Sequence, residues 1–223
     1  MLTKGESELA VQIRPMREED VPVLSSLDFD YESQIALEWT AEPGEPSFSG
    51  SPDALRATTG QIAPRTVQTY RLAEAPLATP YVKRAYARDI QEELNKAAGS
   101  QDDAVFVAGE PPIGVIHLRQ DSWRRVATVW AMYVHRPYRG RGVARALMNR
   151  GIAWAREKGV AAVALETQNT NYAANCFYRA LGFSLAAVNP FYYAGTPVGL
   201  NEKAVLWYYL LEQPGNEVEQ RDA

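Results

Sequence analysis

The chain has 223 residues, of which 46% are hydrophobic and 22% charged, and this composition is typical of a globular protein with one domain. Its formal net charge of -4 excludes general binding to nucleic acids or anionic membranes, because such binding requires a basic surface. The single cysteine, Cys176, excludes an intrachain disulfide and a cysteine-based zinc site.

Periodicity in the first half of the chain predicts short strands and helices, followed by a long insertion. Alternating apolar residues predict strands over 11–14, 31–40 and 66–73, and helical spacing predicts helices over 16–28 and 86–98. The segment 41–65 is dense in Pro, Gly, Ser and Thr, which predicts a loop insertion.

The second half predicts an antiparallel meander followed by a parallel crossover. Strand patterns cover 104–110, 111–120 and 124–134, a helix covers 142–158, and a nearly all-apolar strand covers 160–166. A strand, helix and strand in this order wind right-handed and make the two strands parallel. We therefore predict an α/β (α+β) protein with a single domain over 1–213 and a polar tail over 214–223.

The junction between the 124–134 strand and the following helix predicts an anion site. The first N–H groups of a helix have no partners within it and carry partial positive charge, so they suit a phosphate. Gly140 and Gly142 allow close approach of the backbone, while Arg139 and Arg141 add positive charge. The spacing fits neither a Walker loop nor the dinucleotide fingerprint. The alternative is a turn that needs glycine only for its geometry.

A second motif follows the 160–166 strand, and the two together resemble a known family. The motifs are Arg139-x-x-Gly142-x-Ala144 and Asn171-x-x-Ala174-x-x-Phe177-Tyr178-x-x-x-Gly182-Phe183. Their spacing and order resemble those of the GCN5-related N-acetyltransferases (GNAT). This resemblance implies a mixed, mostly antiparallel sheet that splays at a cofactor cleft and is flanked by helices, with acetyl-CoA as the cofactor.

The resemblance also implies which residues hold acetyl-CoA. Its diphosphate is expected on the 139–144 turn and its pantetheine arm along the backbone near Tyr133, between strands that separate at Val134 and Glu166. Each of three motif residues also has a structural alternative to cofactor binding. Asn171 could serve as a helix cap, Phe177 as a core residue, and Tyr178 as an amphipathic residue at a rim. The predicted cofactor-binding residues are Met132, Tyr133, Val134, Arg139, Gly140, Arg141, Gly142, Val143, Ala144, Asn171, Ala174, Phe177 and Tyr178.

An amine acceptor requires acid–base help, because an amine with a pKa near 10.4 is charged at neutral pH and has no lone pair. The resemblance implies direct attack on the thioester, with Tyr178 donating a proton to the leaving thiolate. Glu166 is the first candidate for the general base, and Glu202 and Glu38 are weaker ones. Each of the three carboxylates is alternatively an ordinary charged strand residue or a substrate contact.

The remaining reactive side chains are predicted to be structural. Cys176 is expected to be a buried inert thiol, since no histidine lies near it in the sequence. His117 and His135 are too far apart to predict a metal pair, and no metal site is expected.

A closer resemblance, over 115–211, is to the streptothricin acetyltransferases, which acetylate an amine of that antibiotic's β-lysine arm. It is carried by the segments 123–125 and 165–171, the tyrosines near Tyr192, and a terminal strand over 202–209. The N-terminal half matches loosely, through 31–40 and LAEAPLATPYVK. Where that subfamily has Glu-Asp this chain has Trp130 and Ala131, and Asn189 replaces an Asp ahead of a tyrosine strand. Fewer carboxylates predict weaker binding of a polycation.

The sequence therefore predicts a cytoplasmic N-acetyltransferase that acts on a small-molecule amine, as a monomer or homodimer, without nucleic-acid or membrane partners. No apolar run has the length of a membrane span. A protein or peptide N-acetyltransferase and a non-catalytic acyl-CoA-binding sensor remain as alternatives. A group of aromatic residues either lines the acceptor pocket or belongs to the core: Trp39, Trp130, Tyr192, Tyr193 and Trp207.

Overall fold

A computed structural model describes residues 10–43, 68–85, 87–196 and 202–211, and for 39–43 and 68–71 it describes the backbone only. The helices are α1 (Asp20–Ser25), α2 (Ala87–Ala98), α3 (Val143–Glu157) and α4 (Tyr172–Ala180). The strands are β1 (Ile13–Pro15), β2 (Tyr31–Pro43), β3 (Gln68–Lys83), β4 (Asp103–Ala108), β5 (Gly114–Asp121), β6 (Val126–Val134), β7 (Ala162–Gln168), β8 (Ser184–Asn189) and β9 (Ala204–Leu210).

Within the described residues, seven strands form one mixed sheet in the order β1-β4-β5-β6-β7-β9-β8. Strands β4, β5 and β6 pair antiparallel, and β6 and β7 pair parallel across α3. These pairings confirm the predicted meander and the predicted strand–helix–strand crossover. All other pairs in the sheet are antiparallel.

Strands β6 and β7 separate halfway along their length. Their pairing runs from Val126 opposite Ala162 to Val129 opposite Leu165, whereas β6 continues to Val134. At this point β6 contains a bulge, because β5 pairs His117 with Ala131 and Leu118 with Val129, which leaves Trp130 as the extra residue. A bulge bends and twists its strand. The predicted splay therefore has a local cause at Trp130.

Two apolar cores lie on opposite faces of the sheet. Helix α3 packs Leu147 and Met148 on one face, and Gly151 allows close contact, since a Cβ there would lie 3.1 Å from Ile116 and Leu118 carbons. Helices α1 and α2 cover the other face with Leu24, Ile90 and Leu94 against Val107 and Val115. Burial on both faces fits β5, whose first five residues, from Gly114 to Leu118, are all buried.

Strands β2 and β3 form a separate two-stranded antiparallel sheet that docks on the connection after β7. The Leu37 amide donates to the Asn169 carbonyl at 3.0 Å, and the Asn169 side-chain amide donates to the Leu37 carbonyl at 3.1 Å. Lys203, just before β9, pairs with Glu38 at 2.6 Å. These contacts attach the N-terminal half to the end of β7 and the start of β9.

Several predicted boundaries differ from the structure. Strand β3 extends to Lys83, beyond the predicted end at residue 73, because Pro76 and Pro80 are tolerated where each strand is an edge. Residues 41–43 of the predicted insertion belong to β2, and residues 44–65 lie outside the described residues, as does the 214–223 tail. The 16–28 helix is confined to α1.

The tyrosines near Tyr192 lie in a turn over 190–195, and the edge strand β8 precedes this turn. The sequence did not predict β8, whose side chains are exposed except at Val188, so the strand lacks a buried face with a period of two.

Candidate active site

The turn between β6 and α3 has the backbone that the glycine pattern predicted. Gly140 and Gly142 have φ angles of 76° and 85°, in the left-handed region that glycine adopts without strain. Gly142 is the N-cap of α3 and has no side chain that could accept hydrogen bonds from the first amides. The first turn of a 15-residue helix is therefore open to an anion.

Arg139 supports this turn through its side chain. Its Nε donates to the Val134 carbonyl at 2.9 Å, and its Nη1 donates to the Asp30 carbonyl at 2.7 Å. Burial lowers the pKa of Arg139, and the charge of Arg136 acts in the same direction, but an arginine remains a cation. Arg139 therefore places a positive charge beside the turn. Its two hydrogen bonds also hold the end of β6 against the loop between α1 and β2.

A cleft of about 480 Å³ opens where β6 and β7 separate. Glu166 and most of the predicted cofactor-binding residues line it: Met132, Tyr133, Val134, Arg139, Gly140, Ala144, Asn171, Ala174, Phe177 and Tyr178. The other three do not line it, since Val143 is buried in the core, Arg141 is exposed to solvent, and Gly142 caps α3. Sequence positions from 129 to 178 thus converge on one cleft.

Tyr178 lies on α4 with its side chain 7% exposed, between the rings of Phe177 and Phe183. Burial raises the pKa of Tyr178, and the nearby charge of Glu166 raises it further. The phenol therefore remains protonated at neutral pH, as a hydrogen-bond or proton donor must be.

Asn171 and Phe177 each combine a structural role with a place in the cleft. The Asn171 side chain accepts a hydrogen bond from the Ala174 amide at 3.3 Å, which makes it the N-cap of α4. Phe177 is half-buried against the core while its ring also lines the cleft. Both residues therefore have the structural role given as the alternative, and both also line the cleft.

Glu166 lies on β7 one residue beyond the last pair with β6. The Tyr193 hydroxyl donates to its Oε1, and the Gln168 side-chain amide donates to the Tyr193 hydroxyl at 3.0 Å. Burial raises the pKa of Glu166, the Tyr193 hydrogen bond opposes the rise, and the charge of Glu202 adds to it. The net rise brings this carboxyl closer to the pH at which a general base works well.

The two weaker base candidates have other partners. Glu202 is fully buried, accepts a hydrogen bond from the Tyr81 hydroxyl, and pairs with Lys83, whose Nζ lies 3.2 Å and 3.1 Å from its two oxygens. Glu38 lies on the hairpin and pairs with Lys203. It is not among the described residues that line the cleft.

The aromatic group predicted as either pocket or core divides between the two. Trp130 is 56% exposed and lines the cleft, with the Arg119 guanidinium 4.6 Å from its ring centroid. Tyr193 contacts Glu166, and Tyr192 is exposed with its ring against Tyr193. Trp207 is buried, and its Nε1 donates to Asn175 at 3.0 Å. The Trp39 side chain lies outside the described residues.

Some residues of the site could not be identified from motifs. Tyr31 and Lys83, at the base of the hairpin, and Phe29 line the cleft although they lie far from both motifs. Asn175 is buried and donates to the carbonyls of Gln168 and Asn171, at 2.9 Å each, which holds the start of α4. In the sequence, the structural role of Asn175 is indicated only by its position within a motif, on an otherwise apolar helix face.

The two histidines, His117 and His135, and the cysteine, Cys176, have the following surroundings in the structure. His117 is buried, with Nδ1 3.1 Å from Glu93 and Nε2 2.7 Å from Asp103, so it is a structural residue on the α2 face of the sheet. His135 Nδ1 lies 3.1 Å from the Asp28 amide. Cys176 is half-buried and not fully buried as predicted. Within the described ranges, no cluster of three or more His, Cys, Asp or Glu side chains forms a metal site, and no helix is long and apolar enough to cross a membrane.

Comparisons with known proteins agree with this architecture. Residues 67–183 match the model of the acetyltransferase (GNAT) family. The chain is 33% identical to streptothricin acetyltransferase A of Bacillus subtilis (strain 168) over 147 residues, which cover 64% of this chain and 80% of that protein. It is 30% identical to a streptothricin acetyltransferase of Escherichia coli over 131 residues, which cover 59% and 71%.

The fold is also that of a solved relative. The crystal structure of nourseothricin acetyltransferase superimposes with a TM-score of 0.68 at 25% identity and covers 92% of this chain and 100% of that chain. The predicted fold class and the resemblance to streptothricin acetyltransferases are therefore confirmed. The chain belongs to the GNAT family and is an N-acetyltransferase.

Proposed function

We propose that this enzyme transfers the acetyl group of acetyl-CoA to a primary amine of a small molecule, by direct attack within a ternary complex, and that a streptothricin-like antibiotic is a candidate acceptor. One observation carries the proposal. Glu166 and Tyr178, a carboxylate and a neutral phenol, line the same cleft at the point where β6 and β7 separate.

The residues of the cleft fit acetyl-CoA. The uncapped amides at the start of α3 and the turn at Gly140 suit its diphosphate, and no atom lies within 4 Å of a Cβ built on Gly140. Beyond Val129 the edge of β6 has no pairing with β7, so its backbone from Met132 to Val134 is available to the amide groups of the pantetheine arm. When bound there, acetyl-CoA supplies an acetyl group activated as a thioester.

Two side chains carry the proton transfers in this proposal. Glu166 takes a proton from the acceptor ammonium, directly or through water, so that the amine gains the lone pair with which it attacks. Tyr178 gives a proton to the departing sulfur. Together, positioning and acid–base help supply several powers of ten in rate, which is the order that such groups contribute in other enzymes.

The acceptor class is supported by the names of the relatives, and limited by the side chains at the mouth of the cleft. Both curated relatives described above are streptothricin acetyltransferases. At 130 and 131 this chain has a tryptophan and an alanine, and Trp130 lies beneath the Arg119 cation. A cation and an aromatic ring at this position favour an acceptor with fewer positive charges than streptothricin.

The test is incubation of the enzyme with acetyl-CoA and a panel of small amines that includes streptothricin, followed by thiol release and mass spectrometry. We expect a gain of one acetyl group on at least one small amine, and a far slower gain with the Glu166→Gln variant. Acetylation of peptide N-termini or lysines alone would favour a protein acetyltransferase. Binding of acetyl-CoA without turnover of any amine would favour the sensor and contradict the proposal.

A further inference from the structure

Two carboxylates have Lys83 as a common neighbour. Glu166 lines the cleft together with Lys83, Glu202 is fully buried and contacts the Lys83 ammonium, and the charge of Glu202 acts on Glu166. Both carboxylates also act on the same two phenols, since each raises the pKa of Tyr31 and of Tyr193. When two carboxylates interact in a partly buried site, the charge of one makes ionisation of the other more costly unless a cation offsets it.

Strand β3 brings that cation. Its last residue, Lys83, places Nζ within 3.2 Å of both oxygens of Glu202, and Tyr81, two residues earlier on the same face of the strand, donates to Glu202 Oε1. Lys83 also lines the cleft, and its charge lowers the pKa of Glu166. A single ammonium therefore acts on both carboxylates.

The other groups that face Glu166 do not compensate its charge. Tyr193, in the turn after β8, donates a hydrogen bond to Glu166, while Tyr178 on α4 and Tyr31 on β2 line the same cleft. These three phenols are neutral, because burial raises the pKa of each. Among the groups that act on the Glu166 carboxyl, Lys83 is the cation and Glu202 is the competing anion.

We infer that Lys83 is a positioning residue for acetyl transfer: its ammonium pairs with Glu202 and offsets the negative charge that would otherwise bear on Glu166, which leaves Glu166 free to accept the proton of the acceptor amine. The inference rests on the proposed function, in which Glu166 is the base. The lysine acts through the carboxylate pair and does not itself move a proton.

The variants that test this role are Lys83→Met, Lys83→Arg, and Lys83→Met combined with Glu202→Gln. Lys203→Met is the matched control, because the Lys203 side chain also joins the β2–β3 hairpin to the start of β9, and its ammonium pairs with Glu38 rather than, among the described residues, with Glu166 or Glu202. Loss of hairpin docking alone would affect Lys83→Met and Lys203→Met alike.

The first measurement is an NMR titration of protein labelled with ¹³C at the glutamate carboxyl carbons, with the Glu166 signal assigned by its absence in Glu166→Gln. In Lys83→Met we expect the Glu166 midpoint to move up by about one to two pH units, which is a typical effect of removing an adjacent charge. Lys83→Arg, Lys203→Met and the double variant should keep the midpoint near that of the wild type. An unchanged midpoint in Lys83→Met would overturn the inference.

The second measurement is the pH profile of kcat/KM with an accepted amine. The acid limb should move up in Lys83→Met, with a loss of roughly tenfold or more at a pH below the wild-type midpoint, while the KM for acetyl-CoA stays within a few-fold. The double variant should restore the position of the limb. A loss that the double variant does not restore, or that Lys203→Met reproduces, would mean that Lys83 is only structural.

These two measurements separate the inference from the proposed function. The titration needs no acceptor, so if no amine is acetylated the proposed function fails while the effect of Lys83 is still decided. If Lys83→Met does not fold, Glu202→Gln alone decides the matter in the same titration. The Glu166 midpoint should then fall, because a competing anion is removed, and no fall would contradict the inference.

Discussion

Glu166 is buried in a way that favours its protonated form, yet the proposed reaction needs its anion. The Tyr193 hydroxyl and the Lys83 charge offset part of the effect of burial, and the pKa of Glu166 remains raised. A raised pKa makes the carboxylate a stronger base, at the expense of the fraction that is ionised at low pH. Activity and stability therefore depend on pH in opposite directions at this one residue.

The pH dependence of activity tests this residue first. We expect kcat/KM to rise with pH through the raised pKa of Glu166, and Glu166→Gln to remove that limb and lower the rate by about 10²- to 10⁴-fold. A profile recorded from pH 5 to 9 with an accepted amine would show both effects. A Glu166→Gln enzyme with the same acid limb as the wild type would exclude Glu166 as the base.

The stability of the same variant should change in the opposite sense. The folded pKa of Glu166 lies above the unfolded value, so its contribution to stability is present below the unfolded pKa and lost as pH rises through the folded pKa. Glu166→Gln, which still accepts from Tyr193, should therefore match or exceed the wild-type Tm at pH 8 and gain less at pH 5. Thermal unfolding at the two pH values measures this, and a Tm deficit that grows with pH would contradict it.

Tyr178 can be tested by removing only its hydroxyl group. Because its ring packs between Phe177 and Phe183, Tyr178→Phe should fold normally, leave the affinity for acetyl-CoA within a few-fold, and lower kcat by about 10- to 10²-fold. Tyr192→Phe, on an exposed tyrosine outside the cleft lining, is the control. Steady-state kinetics with both variants test whether Tyr178 is the proton donor. Equal kcat values for the two variants would exclude Tyr178 from this role.

At the scale of elements, the sequence predicted best what depends on neighbouring residues. The turn at Gly140 and Gly142, the cap at Asn171 and the crossover of β6 and β7 all follow from local spacing, and the structure has each of them. The role of Lys83 and the link from Tyr193 to Glu166 depend on contacts between distant strands. No local pattern encodes such contacts, so sequence reasoning did not find them.

The turn before α3 gives a prediction that separates charge from backbone strain. Gly142→Glu should lower the affinity for acetyl-CoA by at least about 100-fold, because it places a carboxylate where an anion is expected, at the positive end of the helix. Gly159→Glu is the matched control: Gly159 also has a positive φ, of 64°, but follows the C-terminal end of α3. Both variants carry the strain of a side chain at positive φ. Calorimetry that finds equal losses of affinity would contradict this placement of the diphosphate.

At the scale of the whole molecule, the cleft is built from two parts of the chain that meet through few contacts. The seven-stranded sheet with α3 and α4 supplies both motifs, whereas the hairpin supplies Tyr31 and Lys83. The motifs predict the first part well. The hairpin matches the family pattern only loosely, and its docking depends on Asn169, Glu202 and Lys203, which lie outside the two cofactor motifs although the segments 165–171 and 202–209 contain them. For this reason the cofactor side of the cleft could be predicted from the sequence, and the amine side could not.

The docking of the hairpin should therefore control the amine side of the cleft more than the cofactor side. Asn169 is 1% exposed and joins three segments, since its side chain donates to the Leu37 carbonyl at 3.1 Å and accepts from the Lys203 amide at 2.8 Å. Asn169→Ala leaves both backbone groups without these partners, which should cost about 2–4 kcal/mol of unfolding free energy.

In this variant we expect the KM for the accepted amine to rise by about tenfold, as for a loss near 1.4 kcal/mol, while acetyl-CoA binds within a few-fold of the wild type. Urea denaturation measures the unfolding free energy, steady-state kinetics the KM for the amine, and calorimetry the affinity for acetyl-CoA. Asn189→Ala is the control, because Asn189 is exposed and its side chain accepts a hydrogen bond from the nearby Phe191 amide, at 3.0 Å. If acetyl-CoA affinity fell in parallel with the amine, the hairpin would support the whole cleft, and the division into a cofactor side and an amine side would be wrong.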